Sequence, residues 1–193
     1  VAGVNDGPQA VEPSTGLPPV DPNSYIPTQS FEDSEEVTPL DLNLYFADPD
    51  TSDELQISVG LTDLPAGLTF DPITGVISGT PTVDASQGGP NGDGVYVIPV
   101  LVTDNHGQSV TTEITYVITN PAPVALDDGV VSVDEDGVVI VDVLLNDTDP
   151  DGDVLTITQV EGINIAIGEV VTLRSGATVT LLPDGTLEYA PAP

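Results

Sequence analysis

Glycine and proline interrupt this chain every few residues, and this spacing constrains its fold more than any other feature. The 193 residues include 19 Gly and 19 Pro, and both residue types are unfavourable inside helices. Between them stand short runs that are apolar throughout or that alternate apolar with polar residues, as strands of a β-sandwich do. A sustained helical periodicity is hard to find. The sequence therefore predicts an all-β chain built from sandwiches.

Acidic residues dominate the charge of the chain. There are 32 acidic residues against a single Arg, and the formal net charge is -31. This charge excludes nucleic-acid binding through a basic face and disfavours anionic membranes; no apolar run is long enough for membrane insertion. The hydrophobic content of 39% suffices for real cores, so the acidity does not indicate disorder. Because there is no Cys, we expect bound metal rather than disulfides to add stability.

The chain reads as two loosely repeated halves joined by a stiff segment. The segment Asn120-Pro121-Ala122-Pro123 blocks ladder hydrogen bonds and marks a boundary. We expect a linker from a preceding repeat over residues 1–24, a sandwich over 25–120 and a partial sandwich over 121–193. A sandwich of this type normally needs one more strand pair than the last segment offers, so we expect that module to be incomplete. It is either cut short or completed by a segment from farther along the polypeptide.

Matching patterns in the two halves support tandem modules of one architecture. Leu40-Asp41-Leu42 followed by Asp48-Pro49-Asp50 parallels Val141-Asp142-Val143 followed by Asp149-Pro150-Asp151, a repeat of about 100 residues. The tripeptide Pro183-Asp184-Gly185 predicts the turn of a hairpin. The candidate strands are Leu40–Phe46, Leu55–Gly60, Leu68–Phe70, Val76–Ser78, Gly94–Asp104, Ser109–Thr119, Val130–Val133, Val138–Leu144, Val154–Val160, Glu169–Leu173, Thr178–Leu182 and Leu187–Tyr189.

One loop concentrates carboxylates at alternate positions: Asp147, Asp149, Asp151 and Asp153. Two unit charges about 4 Å apart repel by roughly 1 kcal/mol in water and about 4 kcal/mol at an effective dielectric near 20. A hard cation with oxygen ligands turns this cost into a gain, and Ca²⁺ is the natural candidate. The loop is not an EF-hand, because its twelfth position is Thr158 rather than Glu and its flanks are strand-like. The alternative is a solvated acidic loop without an ion.

Longer motifs carry a resemblance to known families. The segment LPAGLTFDPITGVISGTP, residues 64–81, is similar to the signature of dystroglycan-type cadherin-like domains of the putative-Ig class, and the resemblance covers about residues 25–120. Residues 122–193 resemble the cadherin-like tandem repeats of very large bacterial RTX-type surface adhesins. The matching motifs are Ala122–Ala125, Asp134–Gly137 and Asn146–Asp153. Val4-Asn5-Asp6-Gly7-Pro8 is similar to the linker that closes such a repeat, which implies another module upstream.

The resemblance implies several Ca²⁺ ions, mainly at domain junctions. The N-terminal junction would use Asn5, Asp6, Asp48, Asp50, Asp53 and Asp104. The middle junction would use Asn120, Asp149, Asp151 and Asp153, with Glu35 as the upstream acid and Asp33 nearby. Glu135 is the equivalent acid for a third junction. The first acidic loop, Asp-Pro-Asp-Thr-Ser-Asp, departs from the family pattern, since it is one residue longer than the second and has no Gly.

The function implied by the resemblance is a Ca²⁺-stiffened extender module for cell adhesion and biofilm formation, in a giant bacterial adhesin exported by type I secretion to the cell surface. Its partners would be neighbouring repeats of the same polypeptide, with a glycan or protein of a host or partner cell as a further candidate. No enzyme activity is expected, because the chain offers no Ser/His/Asp or Cys/His set and no phosphate loop; His106 is predicted to be a turn residue. The alternatives are a module binding a polysaccharide or peptide through Tyr25, Tyr45 and Tyr96, or an accessory domain of a secreted carbohydrate-active enzyme.

Overall fold

The computed structural model describes residues 5–17, 26–50 and 52–192. The chain divides into two compact units, Val1–Asn120 and Pro121–Pro193. Within the described ranges all regular structure is strand except for two short 3-10 turns, so the predicted all-β class is confirmed. The expected linker over 1–24 is described only from 5 to 17, and Tyr25 lies outside the described residues.

The first unit is a sandwich of two sheets. Strands β2, β9, β8 and β5 form one sheet in that order, and β3, β7 and β6 form the other. Neighbouring strands are antiparallel except for β2, which runs parallel to β9; β1 pairs separately with β4. The bounds are β1 Gln9–Ala10, β2 Gln29–Glu32, β3 Leu40–Asp41, β4 Phe46–Ala47, β5 Gln56–Val59, β6 Leu68–Asp71, β7 Val76–Gly79, β8 Val95–Thr103 and β9 Ser109–Thr119, with 3-10 turns at Leu42–Tyr45 and Ala85–Gln87.

Strands β8 and β9 supply the centre of the core. Alternate residues of β8 are buried, as period-2 patterning requires, and each fully buried aliphatic side chain contributes about 1.5–3 kcal/mol. The facing sheet contributes Leu40 and Ile77, which are 6% and 0% exposed. The core residues of the two long strands are Tyr96, Ile98, Val100, Val102, Ile114, Tyr116 and Ile118.

The predicted strand Leu40–Phe46 is interrupted, and a side chain explains why. Asp41 accepts hydrogen bonds from the backbone N–H of Asn43 at 3.0 Å and from its side-chain amide at 2.8 Å. The same amide donates to the carbonyl oxygen of Thr74 at 2.7 Å. Because Asp at this position offers the backbone a local acceptor, it caps a 3-10 turn and competes with a sheet ladder.

The second unit contains one sheet with strand order β10-β15-β14-β13 and a small hairpin of β11 with β12. The predicted hairpin around Pro183-Asp184-Gly185 is present as β14 and β15. The predicted strand Val130–Val133 forms no ladder, and Val154–Val160 is paired only at its end. Among the described residues, no strand pairs with residues 130–133 or with residues 154–158. The bounds are β10 Val139–Val141, β11 Gln159–Val160, β12 Ile163–Asn164, β13 Val170–Thr172, β14 Thr178–Leu181 and β15 Leu187–Ala190.

Candidate metal centre

Three carboxylates of the first unit converge on one point. Asp48 and Asp53 lie on the loop between β4 and β5, and Asp104 directly follows β8. One oxygen of each lies within 4.8 Å of the others. Since Ca²⁺ binds oxygens at 2.3–2.6 Å, two ligands of one ion are at most about 5 Å apart. The spacing therefore fits a single ion with all-oxygen ligands.

The cluster is largely withdrawn from water. Asp104 is 6% exposed, and the side chain of Asp53 is 3% exposed. The Oδ2 atom of Asp48 is buried and has no hydrogen-bond partner. A buried, unpartnered carboxylate oxygen is costly unless a cation or donor meets it. The chemistry of the donors and this orphaned oxygen both fit a hard divalent cation.

The carboxylate of Asp104 is oriented by the turn that follows it. Its Oδ1 accepts from the backbone N–H groups of His106 and Gln108, each at 2.8 Å, and its Oδ2 accepts from the side-chain amide of Asn5 at 2.9 Å. Burial pushes the pKa of Asp104 up, but these hydrogen bonds outweigh it and hold the pKa below its ordinary value. The group is therefore ionised and fixed in place near neutral pH.

The N-terminal segment, residues 5–17, is fastened to this cluster. The backbone N–H of Asp6 donates to Asp50 Oδ2 at 2.7 Å, and the side-chain amide of Gln108 donates to the carbonyl oxygen of Asn5. Asp50 in turn donates its N–H to Asp48 Oδ1 at 2.8 Å. The predicted N-terminal set is thus gathered at one end of the first unit, although the carboxylate of Asp6 is exposed.

His106 and Gln108 belong to this site, and the sequence analysis did not assign them to it. His106 lies in the predicted turn, and its Nδ1 also sits 3.0 Å from Asp53 Oδ2. An Asp followed three residues later by Gly107, with φ of +88°, is a local signal for the backbone bonds to Asp104. The contacts of the two side chains bridge distant parts of the chain, so no local pattern indicates them.

The acidic loop of the second unit holds a second orphaned carboxylate. Both side-chain oxygens of Asp151 are buried without a partner among protein atoms that satisfies the hydrogen-bond geometry, while its N–H donates to Asp149 Oδ1 at 3.2 Å. Interaction with the Asp149 carboxyl, then burial and the charge of Asp153, raise the pKa of Asp151 to about 6. The same pairing lowers the pKa of Asp149. Asp147 is turned away, since its Oδ1 accepts from the N–H of Leu126 at 2.8 Å.

The remaining predicted ligands are each described within their own unit. Asp33 is 4% exposed, its Oδ1 accepts from the N–H of Ser86 at 2.9 Å, and its Oδ2 is buried without a partner. Glu35 accepts from the N–H of Glu32 at 2.9 Å. Asn120 is exposed just past β9, and Glu135 lies in an exposed turn of the second unit.

Two aromatic residues considered for ligand binding are committed to the first unit's own packing. Tyr45 packs against the core. Tyr96 is 7% exposed, and its hydroxyl donates to the carbonyl oxygen of Ala85 at 2.7 Å. Tyr96 therefore offers no exposed ring on which a sugar could stack, and Tyr45 is half-buried.

Sheets of short, mostly antiparallel strands define this chain as an all-β protein of the immunoglobulin-like sandwich class. Residues 18–119, just over half of the chain, match the family described as Putative Ig domain, and the chain belongs to that family. Residues 120–193 match the family described as Bacterial Ig domain. No curated protein matches the chain.

Among solved structures, the chain is similar to Drosophila N-cadherin EC1-4, with 13% identity and a TM-score of 0.39 over 60% of this chain and 25% of that one. It is similar to the human desmocollin-1 ectodomain, with 16% identity and a TM-score of 0.39; the match covers 98% of this chain and 32% of that one. It is also similar to the endo-fucoidan hydrolase MfFcnA4 of glycoside hydrolase family 107, with 19% identity and a TM-score of 0.41; the match covers 88% of this chain and 24% of that one. The chain thus spans a third or less of these structures.

Domains of the bacterial Ig type are typically extracellular. Within the described ranges, no helix has the length and apolar character needed to cross a bilayer.

Proposed function

We propose that this chain is an extracellular extender module of a bacterial adhesion protein and that Ca²⁺ stiffens it. The observation that carries the proposal is the convergence of Asp48, Asp53 and Asp104, with Asn5 of the N-terminal segment bonded to Asp104. The finer setting rests on the resemblance of residues 122–193 to such repeats. That setting is a giant RTX-type adhesin exported by type I secretion for surface attachment and biofilm formation.

Asp48, Asp53 and Asp104 would hold the ion, with Asp50 and Asn5 beside them. The bound ion would cancel the charge of the carboxylates. Hydrogen bonds within the first unit would couple ion binding to the N-terminal segment. Both the side chain and the carbonyl oxygen of Asn5 are hydrogen-bonded to the 104–108 turn. Fixing the turn therefore fixes the N-terminal segment on the body of the unit.

A stiff array follows if each module repeats this arrangement. In a tandem string, a fixed segment removes hinge freedom between modules, and the string can hold an adhesive tip away from the cell. We include a second ion at Asp149, Asp151 and Asp153 in this proposal, because Asp151 has two buried oxygens without partners.

We propose no catalytic role. The clustered carboxylates lie on loops at the ends of strands, and the one His beside them is 57% exposed and contacts Asp53. The proposed partners are neighbouring repeats of the same polypeptide, with a glycan or protein of another cell bound by other parts of the parent protein.

Amide hydrogen exchange of the whole chain, in Ca²⁺ and in chelator, tests the coupling between ion and segment. We expect Ca²⁺ to slow exchange at Val11, whose N–H donates to the carbonyl oxygen of Tyr45 at 2.8 Å. Asp104→Asn should abolish the effect, whereas Asp63→Asn, an equal charge change at an exposed position outside the cluster, should keep it. Equal exchange of residues 5–17 in both conditions would reject the proposed mechanism.

A further inference from the structure

The loop between β7 and β8 ends in an exposed tip with the sequence Pro90-Asn91-Gly92-Asp93. Residues 89–92 form a β-turn, in which the N–H of Gly92 donates to the carbonyl oxygen of Gly89 at 3.2 Å. Pro90 occupies the second position of the turn, where its fixed φ is favourable, and Asn91 occupies the third. Among the described residues, the side chain of Asn91 has no hydrogen-bond partner. The tip therefore presents a free asparagine amide directly before a glycine.

An asparagine followed by glycine can react with its own main chain, and asparagine is for this reason a thermolabile residue. The nitrogen of the following residue loses its proton to solvent base and attacks the side-chain carbonyl carbon of the asparagine. A new carbon–nitrogen bond closes a five-membered succinimide ring, and the amide nitrogen takes up a proton and leaves as ammonia. Water then opens the ring at either carbonyl, which gives aspartate or isoaspartate. The overall reaction consumes one water, releases one ammonia and needs no oxidant or reductant.

The surroundings of Gly92 leave room for this ring. A Cβ added at Gly92 would have one neighbour within 4 Å, the carbonyl oxygen of Gln87 at 3.5 Å, and glycine itself has no side chain to hinder the attack. The hydrogen bond from Gly92 to Gly89 has to open first. At 3.2 Å it is at the long end of the normal range. Because it lies at an exposed turn, we expect it to slow the reaction by about tenfold or less relative to an unstructured peptide.

Bonds on either side of the tip hold the rest of the loop. The N–H of Gly94 donates to the carbonyl oxygen of Gly88 at 3.0 Å, and the N–H of Val95 donates to Asp93 Oδ1 at 3.1 Å. Neither bond involves Asn91 or Gly92. The tip can therefore rearrange during ring closure while the sandwich below it keeps its contacts.

The other asparagines that the structure describes are each protected in an identifiable way. The side chains of four of them are hydrogen-bonded: Asn5, Asn43, Asn146 and Asn164. Asn120 precedes Pro121, which has no N–H to react. The side chain of Asn105 has no partner among the described residues, but the nitrogen that would attack it belongs to His106 and donates to Asp104 Oδ1 at 2.8 Å. Asn91 is thus the described asparagine that combines a free side chain with a following glycine.

We propose that Asn91 is a site of spontaneous deamidation, at which the chain is converted selectively to aspartate and isoaspartate. Both products add one negative charge at the tip beside Asp93, and isoaspartate also lengthens the main chain by one methylene group. Since no enzyme is needed, the converted fraction rises with time, and the tip records the age of the module. This inference does not depend on the calcium site.

Ageing of the whole chain in water labelled with heavy oxygen tests the proposal. Samples are kept slightly above neutral pH, digested with pepsin in acid, where ring closure is slow, and mapped by mass spectrometry. We expect heavy oxygen to appear first at residue 91, at a rate that increases with pH because the attacking nitrogen must lose its proton. A peptide with the sequence of residues 86–94 supplies the reference rate, which should exceed that of the chain by about tenfold or less.

The matched control is Asn91→Gln. It keeps an uncharged amide at the tip, but its ring would have six members and close far more slowly, so residue 91 should stay unlabelled. One outcome that would overturn the proposal is a parent chain without label at residue 91 after the peptide has been converted. The other is label that appears as fast at Asn105, or at Asn23, which precedes Ser24 and lies outside the described residues. In that case neither the following glycine nor the free side chain would determine where the chain reacts.

Discussion

Calcium should raise the melting temperature of the first unit, and one substitution should reverse part of that effect in a diagnostic way. The substitution is Asp48→Asn, which keeps the shape of the side chain but removes one of three clustered charges. Asp48 Oδ2 is buried without a partner. Its carboxylate therefore destabilises the folded state when no ion is bound, and it stabilises the folded state as a ligand when Ca²⁺ is bound.

The size of the effect follows from binding linkage. A ligand at 100 times its dissociation constant stabilises the folded state by about 2.7 kcal/mol. A change of 1 kcal/mol shifts the melting temperature of a domain of 60–100 residues by about 4–8 °C. We therefore expect saturating Ca²⁺ to raise the first transition by about 10 °C or more over chelator. Asp48→Asn should have a higher melting temperature than the parent chain in chelator and a lower one in Ca²⁺, so that the order of the two melting temperatures reverses.

Differential scanning calorimetry of the whole chain measures this directly. Asp63→Asn is the matched control, since it changes the net charge equally but lies exposed and outside the cluster, and it should respond to Ca²⁺ as the parent does. The reasoning is refuted if the parent melts at the same temperature in both conditions. It is also refuted if Asp48→Asn and Asp63→Asn cannot be distinguished.

Three further predictions concern the core, the second acidic loop and a turn. In urea unfolding, Ile98→Ala should cost about 2–5 kcal/mol because Ile98 is 0% exposed, while Val97→Ala, at 42% exposure, should cost about 0.5 kcal/mol or less; equal losses would contradict the assigned register. In chelator, the melting temperature of the second unit should fall as pH rises from about 4 to above 6, because the raised pKa of Asp151 means that the folded state holds a proton the unfolded state has lost. Asp151→Asn should flatten that dependence, and a slope retained in the variant would assign it to another group. Gly75→Ala should destabilise the protein more than Gly185→Ala in thermal melts. Both glycines have positive φ, of +72° and +89°, but of the two only Gly75 has a neighbour, the side-chain amide of Asn43, that an added Cβ would clash with.

The fold of the first unit could be predicted where side-chain alternation is long. Ser109–Thr119 was predicted with the observed bounds, because eleven residues of period-2 patterning leave no competing structure. The stretch Leu40–Phe46 was predicted as one strand, and the Asp41 side chain breaks it into a 3-10 turn. That competition depends on a hydrogen-bond geometry that an apolar pattern does not encode.

In the second unit the difference between prediction and structure has another cause. Val130–Val133 has the composition of a strand but forms no ladder. A strand is defined by its neighbour, so apolar alternation can predict which residues are able to pair but not whether a partner is present.

The candidate site was predictable only in part, because local sequence does not indicate contacts between distant residues. The family resemblance assigned Asp48, Asp53 and Asp104 to one junction, and the structure gathers their carboxylates; whether they bind calcium stays a prediction. His106 contacts Asp53, which lies 53 residues earlier in the sequence, and Gln108 contacts Asn5, which lies 103 residues earlier. Such contacts arise from tertiary structure alone.

A crystal structure determined with millimolar Ca²⁺ tests the central claim most directly. The account predicts one density peak among the carboxylates of Asp48, Asp53 and Asp104, with oxygen ligands at about 2.3–2.6 Å and a total coordination of six to eight. A water at hydrogen-bonding distances in that position, in crystals grown with ample calcium, would contradict it.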